Sequence, residues 1–463
     1  MNCVVICCDT FRADLLDDPA IHLPNLRRLA RQGVSFTHAF GEGLPTIQAR
    51  RTLFTGVRSF PWRFGMDGRG LTPAIAGWHR IPDEQTTLAE HLLERGIVTG
   101  LVADTYHMFK PTQNFTRGFA SWSFIRGQEG DPVRSGPLSA IDLSPYEPDG
   151  KNDPYRNPIL AQYLLNMLDR KRERDYLPAQ VFRRAAEWLA ENRENAPWFL
   201  WVDSFAPHER WDPPMAFADR YCPPGQSKNY IQPYVINRLN PSAAEIARTK
   251  ALYYGYATFV DKWIGHFLRA LRRAGRLDDT MVIFTSDHGT ELWDHGRFGK
   301  GGDRMHAYNT RVPLVLRPPG GQRAARRDDF AQHQDLFPTI AAALGAPLTP
   351  GVAPDGRNLL DPAAKAPERI AIAWGSNVSV RDRAWNLVFD STGVKPGGQL
   401  FDLAADPGET TNVYDAHPAV VAERRAWLEA TLGPLPYPIR HTGDARQAPP
   451  LVARFRKPAT PNV

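Results

Sequence analysis

The sequence contains little cysteine and no long apolar run. Four of its 463 residues are cysteines, and three of these lie in the short apolar segment 3–8. That pattern indicates reduced thiols in a protein core rather than a disulfide framework. No run of about 18 apolar residues is present, so we expect no membrane partner. The first residues already resemble a strand, with no basic and apolar leader before them, and we therefore predict a cytoplasmic location.

A strong charge of one sign is also absent. The 56 basic residues exceed the 50 acidic ones by six, and they are scattered except for clusters at 170–174 and 323–327. Solvated faces explain these clusters better than nucleic-acid binding, although the positive excess favours an anionic substrate. With 42% hydrophobic residues, the chain can form one large domain and a smaller one.

The most informative segment is an apolar, β-branched run that stops at an acid and an imidazole. Residues 281–285 are typical of a buried strand, and Asp287 and His288 follow them. Open α/β sheets carry their sites at the carboxyl ends of strands, and these two side chains are ligands for divalent metals. Asp9, which follows the first predicted strand, is the expected partner of Asp287. The alternative is that Asp287 and His288 only cap the next element.

A second motif places a hydroxyl beside a cation. Thr46 follows Pro45 at the start of a predicted helix, and Arg50 comes four residues later, so both share one helical face. A nucleophile at a helix amino terminus next to a cation is suited to attack on an anion. The alternative is that Thr46 is a helix N-cap.

Three motifs together resemble the sulfatase branch of the alkaline phosphatase superfamily, which also contains phosphonate monoester hydrolases and phosphodiesterases. They are Asp9-x-x-Arg12-x-Asp14, Thr46 with Arg50 and then Leu53-Phe54-Thr55-Gly56, and the strand end Ser286-Asp287-His288-Gly289. The resemblance extends from Val4 to about Leu432. It implies an α/β fold with a large mixed, mostly parallel sheet sandwiched by helices, plus a small carboxyl-terminal antiparallel sheet-and-helix subdomain.

The resemblance also implies domain boundaries. We expect a catalytic domain over 1–350, with an insertion at about 126–160 that is rich in Gly, Pro, Asp and Ser, and a subdomain over 351–433. Residues 434–463 are rich in proline and arginine. They are either an arm exchanged between subunits or a disordered tail. We expect the protein to form a homo-oligomer.

The chain departs from the family signature at the nucleophile. The family has Cys or Ser there, which is oxidised to formylglycine, and then Pro and Ser; this chain has Thr46, Gln48 and Ala49. Threonine cannot yield that aldehyde, so we expect no formylglycine. Threonine is the nucleophile in related branches, including nucleotide pyrophosphatases and phosphoethanolamine transferases.

Further site residues follow from the resemblance. His208, His295 and Lys300 match family positions that neutralise the nonbridging oxygens and protonate the leaving group. One residue separates Phe205 from Pro207, where the family has two.

The expected substrate pocket combines a strand end with a loop. A predicted strand over 98–104 ends at a polar cluster that contains Asp104, Tyr106 and His107. His79 lies near a polar substrate contact of related hydrolases, with a solvated loop histidine as the alternative.

The implied metal site consists of Asp9, Asp287, His288 and Thr46. Many sulfatases have a second aspartate next to the first, and here that neighbour is Thr10, which we assign to the substrate pocket. The missing carboxylate makes the site less negative. It therefore favours a single manganese or zinc ion, with calcium as the alternative.

These residues predict a metal-dependent hydrolase that cleaves a phosphate diester or a phosphonate ester. A phospho-threonine can be cleared by in-line attack of water, whereas formylglycine releases sulfate by collapsing to the aldehyde. The alternatives are a sulfatase acting on sulfuric esters, a non-catalytic binding protein, and a transferase that passes the group to an acceptor alcohol. A small anionic ester is the expected partner.

Overall fold

The computed structural model describes residues 1–62, 75–110, 113–225 and 227–439. Its strands are β1 Asn2–Cys8, β2 Val34–Phe40, β3 Gly43–Leu44, β4 Val98–Ala103, β5 Ser121–Phe124, β6 Trp198–Ser204, β7 Thr280–Thr285, β8 Glu291–Leu292, β9 Phe298–Gly299, β10 Leu314–Arg317, β11 Ala325–Gln332, β12 Ile370–Trp374, β13 Asn377–Arg381, β14 Trp385–Asp390 and β15 Gly398–Asp402. Its helices are α1 Pro24–Arg31, α2 Thr46–Thr55, α3 Leu88–Leu93, α4 Pro158–Asn166, α5 Leu177–Glu191, α6 Met215–Ala218, α7 Ala243–Arg273, α8 Ala307–Thr310, α9 Leu336–Ala343 and α10 Pro418–Leu432.

The centre of the molecule is an eight-stranded sheet in the order β11-β2-β10-β7-β1-β6-β4-β5. Only β10 runs against its neighbours among these strands. Every residue of β1, β6 and β7 is buried, because helices cover both faces of the sheet. Val4 and Ile6 pack with residues of α5 and α7, whereas Val5 and Cys7 pack with residues of α2, α3 and α9. The predicted mixed, mostly parallel sheet between helices is confirmed.

The strand order brings four polar strand ends to one edge of the sheet. β7, β1, β6 and β4 are consecutive parallel neighbours. The last paired residue of β1, Cys8, lies opposite Ser204 of β6. Because parallel strands end at the same edge, the residues that follow them converge there.

The small sheet has the order β15-β14-β13-β12-β3. Its four carboxyl-terminal strands are antiparallel, as expected, and α10 lies against β13. The fifth strand, β3, comes from the segment just before Thr46 and pairs in parallel with β12, Leu44 opposite Trp374. The small sheet is therefore joined by backbone pairing to the segment that carries the predicted nucleophile. The division at residue 350 stays a prediction.

The segment expected to be an insertion contains a short 3-10 helix, Leu138–Ala140, and the start of α4, and its Ile141 and Leu143 are buried in the main core. Of the expected tail, residues 440–463 lie outside the described residues. Before them, Tyr437 packs edge-on against Phe60 with ring centroids 5.3 Å apart. Within the described ranges, no helix combines the length and the apolarity needed to cross a bilayer.

Candidate active site

Asp9, Asp287 and His288 form one buried group, which we call the acid–imidazole cluster. All three side chains are inaccessible to solvent, and one ligand atom from each lies within 4.8 Å of the others. His288 Nδ1 donates to the Gly289 carbonyl at 2.7 Å, which leaves Nε2 without a proton. Burial lowers the pKa of His288 to about 4, so the imidazole is neutral. His288 Nε2 and Asp9 Oδ1 have no hydrogen-bond partner within the described ranges. These donors fit a divalent cation.

Arg50 joins the cluster to a third carboxylate. Its Nη1 lies 3.0 Å from Asp9 Oδ2 and 2.6 Å from Asp287 Oδ2, and its Nη2 lies 2.8 Å from Asp203 Oδ1. All four side chains are fully buried. One guanidinium against three carboxylates leaves an excess of negative charge in a dry interior, and a divalent cation would neutralise it.

The pKa values of the two carboxyls in the cluster, those of Asp9 and Asp287, shift in opposite directions. Burial and the neighbouring Asp287 charge raise the pKa of Asp9 well above its usual range. Burial also acts to raise the pKa of Asp287, but His288, which is protonated at the acid pH where this carboxyl titrates, and the Arg50 charge outweigh it, so that pKa lies below its usual range. Asp287 also accepts hydrogen bonds from the backbone N–H groups of Thr10 and His288.

Thr46 is the first residue of α2, and Pro45 occupies the N-cap position. The alternative that Thr46 is the N-cap of this helix is therefore not observed. Thr46 is 4% exposed, and its carbonyl accepts a hydrogen bond from Arg50 Nη1 at 3.2 Å. In the described part of the chain no side-chain cap bond involves its hydroxyl.

Glu209 and Tyr234 also belong to this site, and neither is among the residues predicted from the sequence. Glu209 is fully buried, and its carboxylate lies 2.6 Å from Lys300 Nζ and accepts from the Tyr234 hydroxyl at 2.8 Å. Burial acts to raise the pKa of Glu209, but the Lys300 charge, together with His208 when that ring is protonated at acid pH, lowers it to about 2. Lys300 is in turn held charged, because Glu209 raises its pKa against the effect of burial. The sequence carried one signal for Glu209, because this residue directly follows the predicted site residue His208.

His208 lies against the same carboxylate. Its ring stacks on Phe205 at 4.1 Å, and its Nδ1 donates to the Glu209 carbonyl at 2.7 Å. Glu129, from the expected insertion, approaches Nδ1 at 3.8 Å. Burial and the Lys300 charge lower the pKa of His208. The neutral ring therefore keeps Nε2 as its proton acceptor.

The structure does not bring His295 to this site. Its Nδ1 lies 2.9 Å from the Tyr308 hydroxyl, and its Nε2 lies 3.0 Å from the Gly408 carbonyl. It lines a different cavity, together with Arg12 and Arg311. The Gly408 carbonyl, in the loop after β15 of the small sheet, holds the His295 ring there. Spacing in the sequence could not reveal that contact.

The predicted pocket residues have separate surroundings. Asp104 accepts from the Phe205 backbone N–H at 2.6 Å and from Gln128 at 2.7 Å, so it fixes the loop that carries His208. His107 Nε2 lies 3.1 Å from Glu129, and Tyr106 stacks near His107 at 4.1 Å.

The two other pocket candidates are Thr10 and His79. Thr10 adjoins the cluster through its N–H bond to Asp287, and its buried hydroxyl has no partner in the described residues. His79 is half-buried, its Nδ1 lies 2.7 Å from the Arg80 carbonyl, and its own carbonyl accepts from Arg51. The roles of all these residues in substrate binding stay predictions.

The family model for sulfatases matches residues 1–346. The chain belongs to the sulfatase family. It is therefore an ester-bond hydrolase. In this sulfatase-family protein, the acid–imidazole cluster is the candidate site for a divalent metal.

The relatives include both a multifunctional member of the alkaline phosphatase superfamily and arylsulfatases. The multifunctional alkaline phosphatase superfamily protein PehA of Trinickia caryophylli is 26% identical over 419 residues, covering 78% of this chain and 76% of the relative. Arylsulfatase K of Homo sapiens is 22% identical over 454 residues, covering 90% and 80%.

Solved structures share the fold. The phosphonate monoester hydrolase of Agrobacterium radiobacter superposes with a TM-score of 0.71 at 23% identity, covering 93% of this chain and 94% of that one. The enzyme SpPMH from Silicibacter pomeroyi gives 0.69 at 20% identity, with the same coverage.

We expect His288→Ala to lower the affinity for Mn²⁺ or Zn²⁺ by about 100-fold or more, because it removes the neutral donor of the cluster. Isothermal titration of the metal-free protein measures this. His91→Ala is the matched control, since His91 is also buried with one ring nitrogen on a backbone carbonyl but lies away from the cluster. Equal affinities for His288→Ala and the parent would contradict the assignment.

A second prediction concerns stability. Burial raises the pKa of Asp104 to about 7, above the value of about 4 in the unfolded chain. Between these values the folded state binds the extra proton, so stability falls as pH rises and levels off above pH 7. Between pH 5 and 8 the parent should lose about 3 kcal/mol relative to Asp104→Asn. Denaturant midpoints of both proteins across this range measure it, and parallel curves would show that Asp104 is ionised throughout.

Proposed function

We propose that this protein hydrolyses a phosphate diester or a phosphonate ester, with the Thr46 oxygen as the nucleophile. The observation that carries the proposal is the position of Thr46 at the first turn of α2, four residues before Arg50, whose guanidinium bonds both carboxylates of the acid–imidazole cluster. The helix amino terminus and the buried cation both favour an oxyanion at residue 46. The relatives named as phosphonate monoester hydrolases support this chemistry.

The choice of phosphorus over sulfur rests on residue 46 itself. A formylglycine enzyme releases its sulfate when the hydrate collapses to an aldehyde, and threonine has no such route. A phosphorylated threonine needs only water aligned opposite the ester oxygen. The arylsulfatase relatives support sulfuric ester hydrolysis as the second candidate, in which water would have to cleave a sulfo-threonine.

The described side chains have separate roles in the proposed hydrolysis. Arg50 holds Asp9 and Asp287 at fixed positions, and Glu209 fixes Lys300 so that its ammonium can pair with a nonbridging oxygen of the ester. When bound by the cluster, a divalent cation supplies Lewis-acid chemistry. The Thr46 hydroxyl gives its proton to solvent and attacks as the alkoxide, which the helix amino terminus and Arg50 favour, and it is released as the alkoxide when the ester is cleaved. His208, when protonated, donates from Nε2 to the leaving oxygen. The neutral ring then accepts a proton from the water that cleaves the Thr46 ester.

The test is a comparison of initial rates on one series of aryl esters. With Mn²⁺ or Zn²⁺ added, we expect the phosphate diester and the phosphonate ester to react faster than the sulfate. Thr46→Ala should lower kcat on the preferred ester by about 1000-fold or more, because the nucleophile is gone. Thr46→Ser, which keeps the hydroxyl, should stay within about tenfold of the parent.

The control is Thr55→Ala, the same change at the other end of α2, where among the described residues the hydroxyl bonds only the helix backbone and the following turn. It should retain the parental rate. Full activity of Thr46→Ala would exclude the covalent route. A dominant rate on the sulfate would favour the second candidate.

His208 gives a prediction about leaving groups and pH. His208→Gln should slow a phenyl ester by about 100-fold or more, because phenolate leaves poorly without a proton, and should slow the 4-nitrophenyl ester far less. Because the pKa of His208 is lowered, kcat/KM for the phenyl ester should fall as pH rises, beginning below about 6.5. Rate profiles of both esters measure this, and an equal loss on both would assign the proton to another group.

A further inference from the structure

Arg210 is a buried cation without a partner, and it lies two residues after His208. Its side chain is 5% exposed. Within the described ranges no hydrogen bond or ion pair involves its guanidinium, and its Nε is shielded from solvent. Taking a guanidinium out of water costs free energy, which a neighbouring anion normally offsets. A buried cation that lacks this compensation indicates a place where an anion from outside the chain binds.

The other buried arginines of the described residues differ from Arg210 in this respect. Each of them bonds a carboxylate or a backbone carbonyl. Arg248, for example, pairs with Asp219 at 2.8 Å, and Arg51 donates to the Gly77 carbonyl at 3.0 Å. The missing partner of Arg210 is therefore not a general feature of buried arginines in this fold.

Glu129 is an acid near Arg210, but it is engaged elsewhere. Its carboxylate lies 3.1 Å from His107 Nε2 and 3.8 Å from His208 Nδ1. Burial acts to raise the pKa of Glu129, but the hydrogen bond with His107 and the surrounding cations, Arg210 among them, hold it well below its usual range. Arg210 therefore lies within electrostatic range of Glu129, although no ion pair joins them in the described ranges.

Tyr106 supplies a neutral donor on the same side of Arg210. Burial and the charges of Glu129 and Asp131 raise the pKa of Tyr106, and the Arg210 charge acts against that rise. The phenol therefore keeps its proton. No hydrogen bond involves this hydroxyl among the residues that the structure describes. A free O–H beside a guanidinium can donate to the same anion. We call Arg210 and Tyr106 the Arg210 subsite.

Both members of the Arg210 subsite are tied to the reacting centre. Thr105 directly precedes Tyr106, and its hydroxyl accepts from Arg50 Nη2 at 3.3 Å. Arg210 and His208 are two residues apart, so their Cα atoms lie at most about 7 Å from each other. The subsite therefore adjoins His208, the residue to which we assign the leaving oxygen.

We propose that the Arg210 subsite binds a carboxylate on the leaving alcohol of the substrate. A carboxylate accepts two parallel N–H bonds from a guanidinium. One guanidinium beside Glu129 balances a single negative charge, which favours a carboxylate over the dianion of a phosphate monoester. The subsite rests on the proposed function, because it extends the site from His208. It defines the substrate class as phosphorus esters of an alcohol that carries an acid group.

The experiment compares 3- and 4-carboxyphenyl methylphosphonate with the matching carbamoylphenyl esters, with Mn²⁺ added. Each ester has a single aryl arm, and the carboxamide keeps the shape of the carboxylate without its charge. The electronic effect of a substituent on the leaving group is the same for every variant, so it cancels when a variant is compared with the parent.

We expect Arg210→Gln to lower the carboxylate-to-carboxamide ratio of kcat/KM about 10- to 100-fold at the preferred ring position, because a charge-assisted pair is lost. Arg210→Lys, which keeps the charge, should lose less. Tyr106→Phe should lower the ratio about 2- to 10-fold, because a neutral donor is lost.

Arg311→Gln is the matched control. The Arg311 guanidinium also has no hydrogen bond or ion pair in the described part of the chain, but it lines the cavity that contains His295. This variant should keep the parental ratio. Denaturant midpoints test the structural alternative. Arg210→Gln should unfold at the parental midpoint or above it, because no ion pair is removed, and a midpoint well below the parental value would assign Arg210 a structural role.

Binding provides a readout that does not depend on turnover. The dissociation constants of 3- and 4-carboxybenzylphosphonate, measured by titration calorimetry beside those of the carbamoyl compounds, should rise more in Arg210→Gln for the carboxylates. An unchanged ratio in both measurements, or an equal loss on charged and neutral compounds, would overturn the subsite. If no ester is hydrolysed but a carboxybenzylphosphonate still binds through Arg210, the proposed chemistry fails and the subsite stands.

Discussion

The arrangement of the site depends on one buried guanidinium. Arg50 lies at the point where α2 meets the edges of β1, β6 and β7, and it bonds an aspartate after or within each of these strands. Removing one partner from such a fully buried ion network typically costs on the order of 3–5 kcal/mol, because a charge is left without compensation. The same side chain that could assist chemistry at Thr46 therefore also fixes the helix to the sheet edge.

Charge balance makes this network a candidate site for a divalent cation. Asp9, Asp203 and Asp287 outnumber Arg50, and no other cation is hydrogen-bonded to these carboxylates within the described ranges. Lys300, the next nearest candidate, is held by Glu209 and Tyr234. Two adjacent carboxyls in a dry interior ionise together only at a high cost in free energy, which is why the pKa of Asp9 is raised, and a bound divalent cation would lower that cost. A binding site of this kind is consistent with the ester hydrolases of the sulfatase family.

The small sheet contributes to the site more directly than its position in the chain suggests. It receives β3 as a strand, so the two residues before Pro45 are held by β12. From the same strand, Trp374 lies 5.1 Å from the His288 ring, and the loop after β15 supplies the carbonyl that holds His295. The entry into α2 is thus fixed from both sides, by Arg50 within the helix and by backbone pairing ahead of it.

The sequence by itself determined the fold class, the sulfatase-family membership, and the residues of the acid–imidazole cluster, because strand ends and a helix start are local patterns that parallel strands bring to one edge. It could not reveal Tyr234 or Glu129, since each belongs to a segment whose course depends on packing, and it indicated Glu209 only through its place next to His208. His295 is a related case. Its spacing in the sequence matches the family, but contacts with Tyr308 and Gly408 in the folded chain hold its ring in a different cavity.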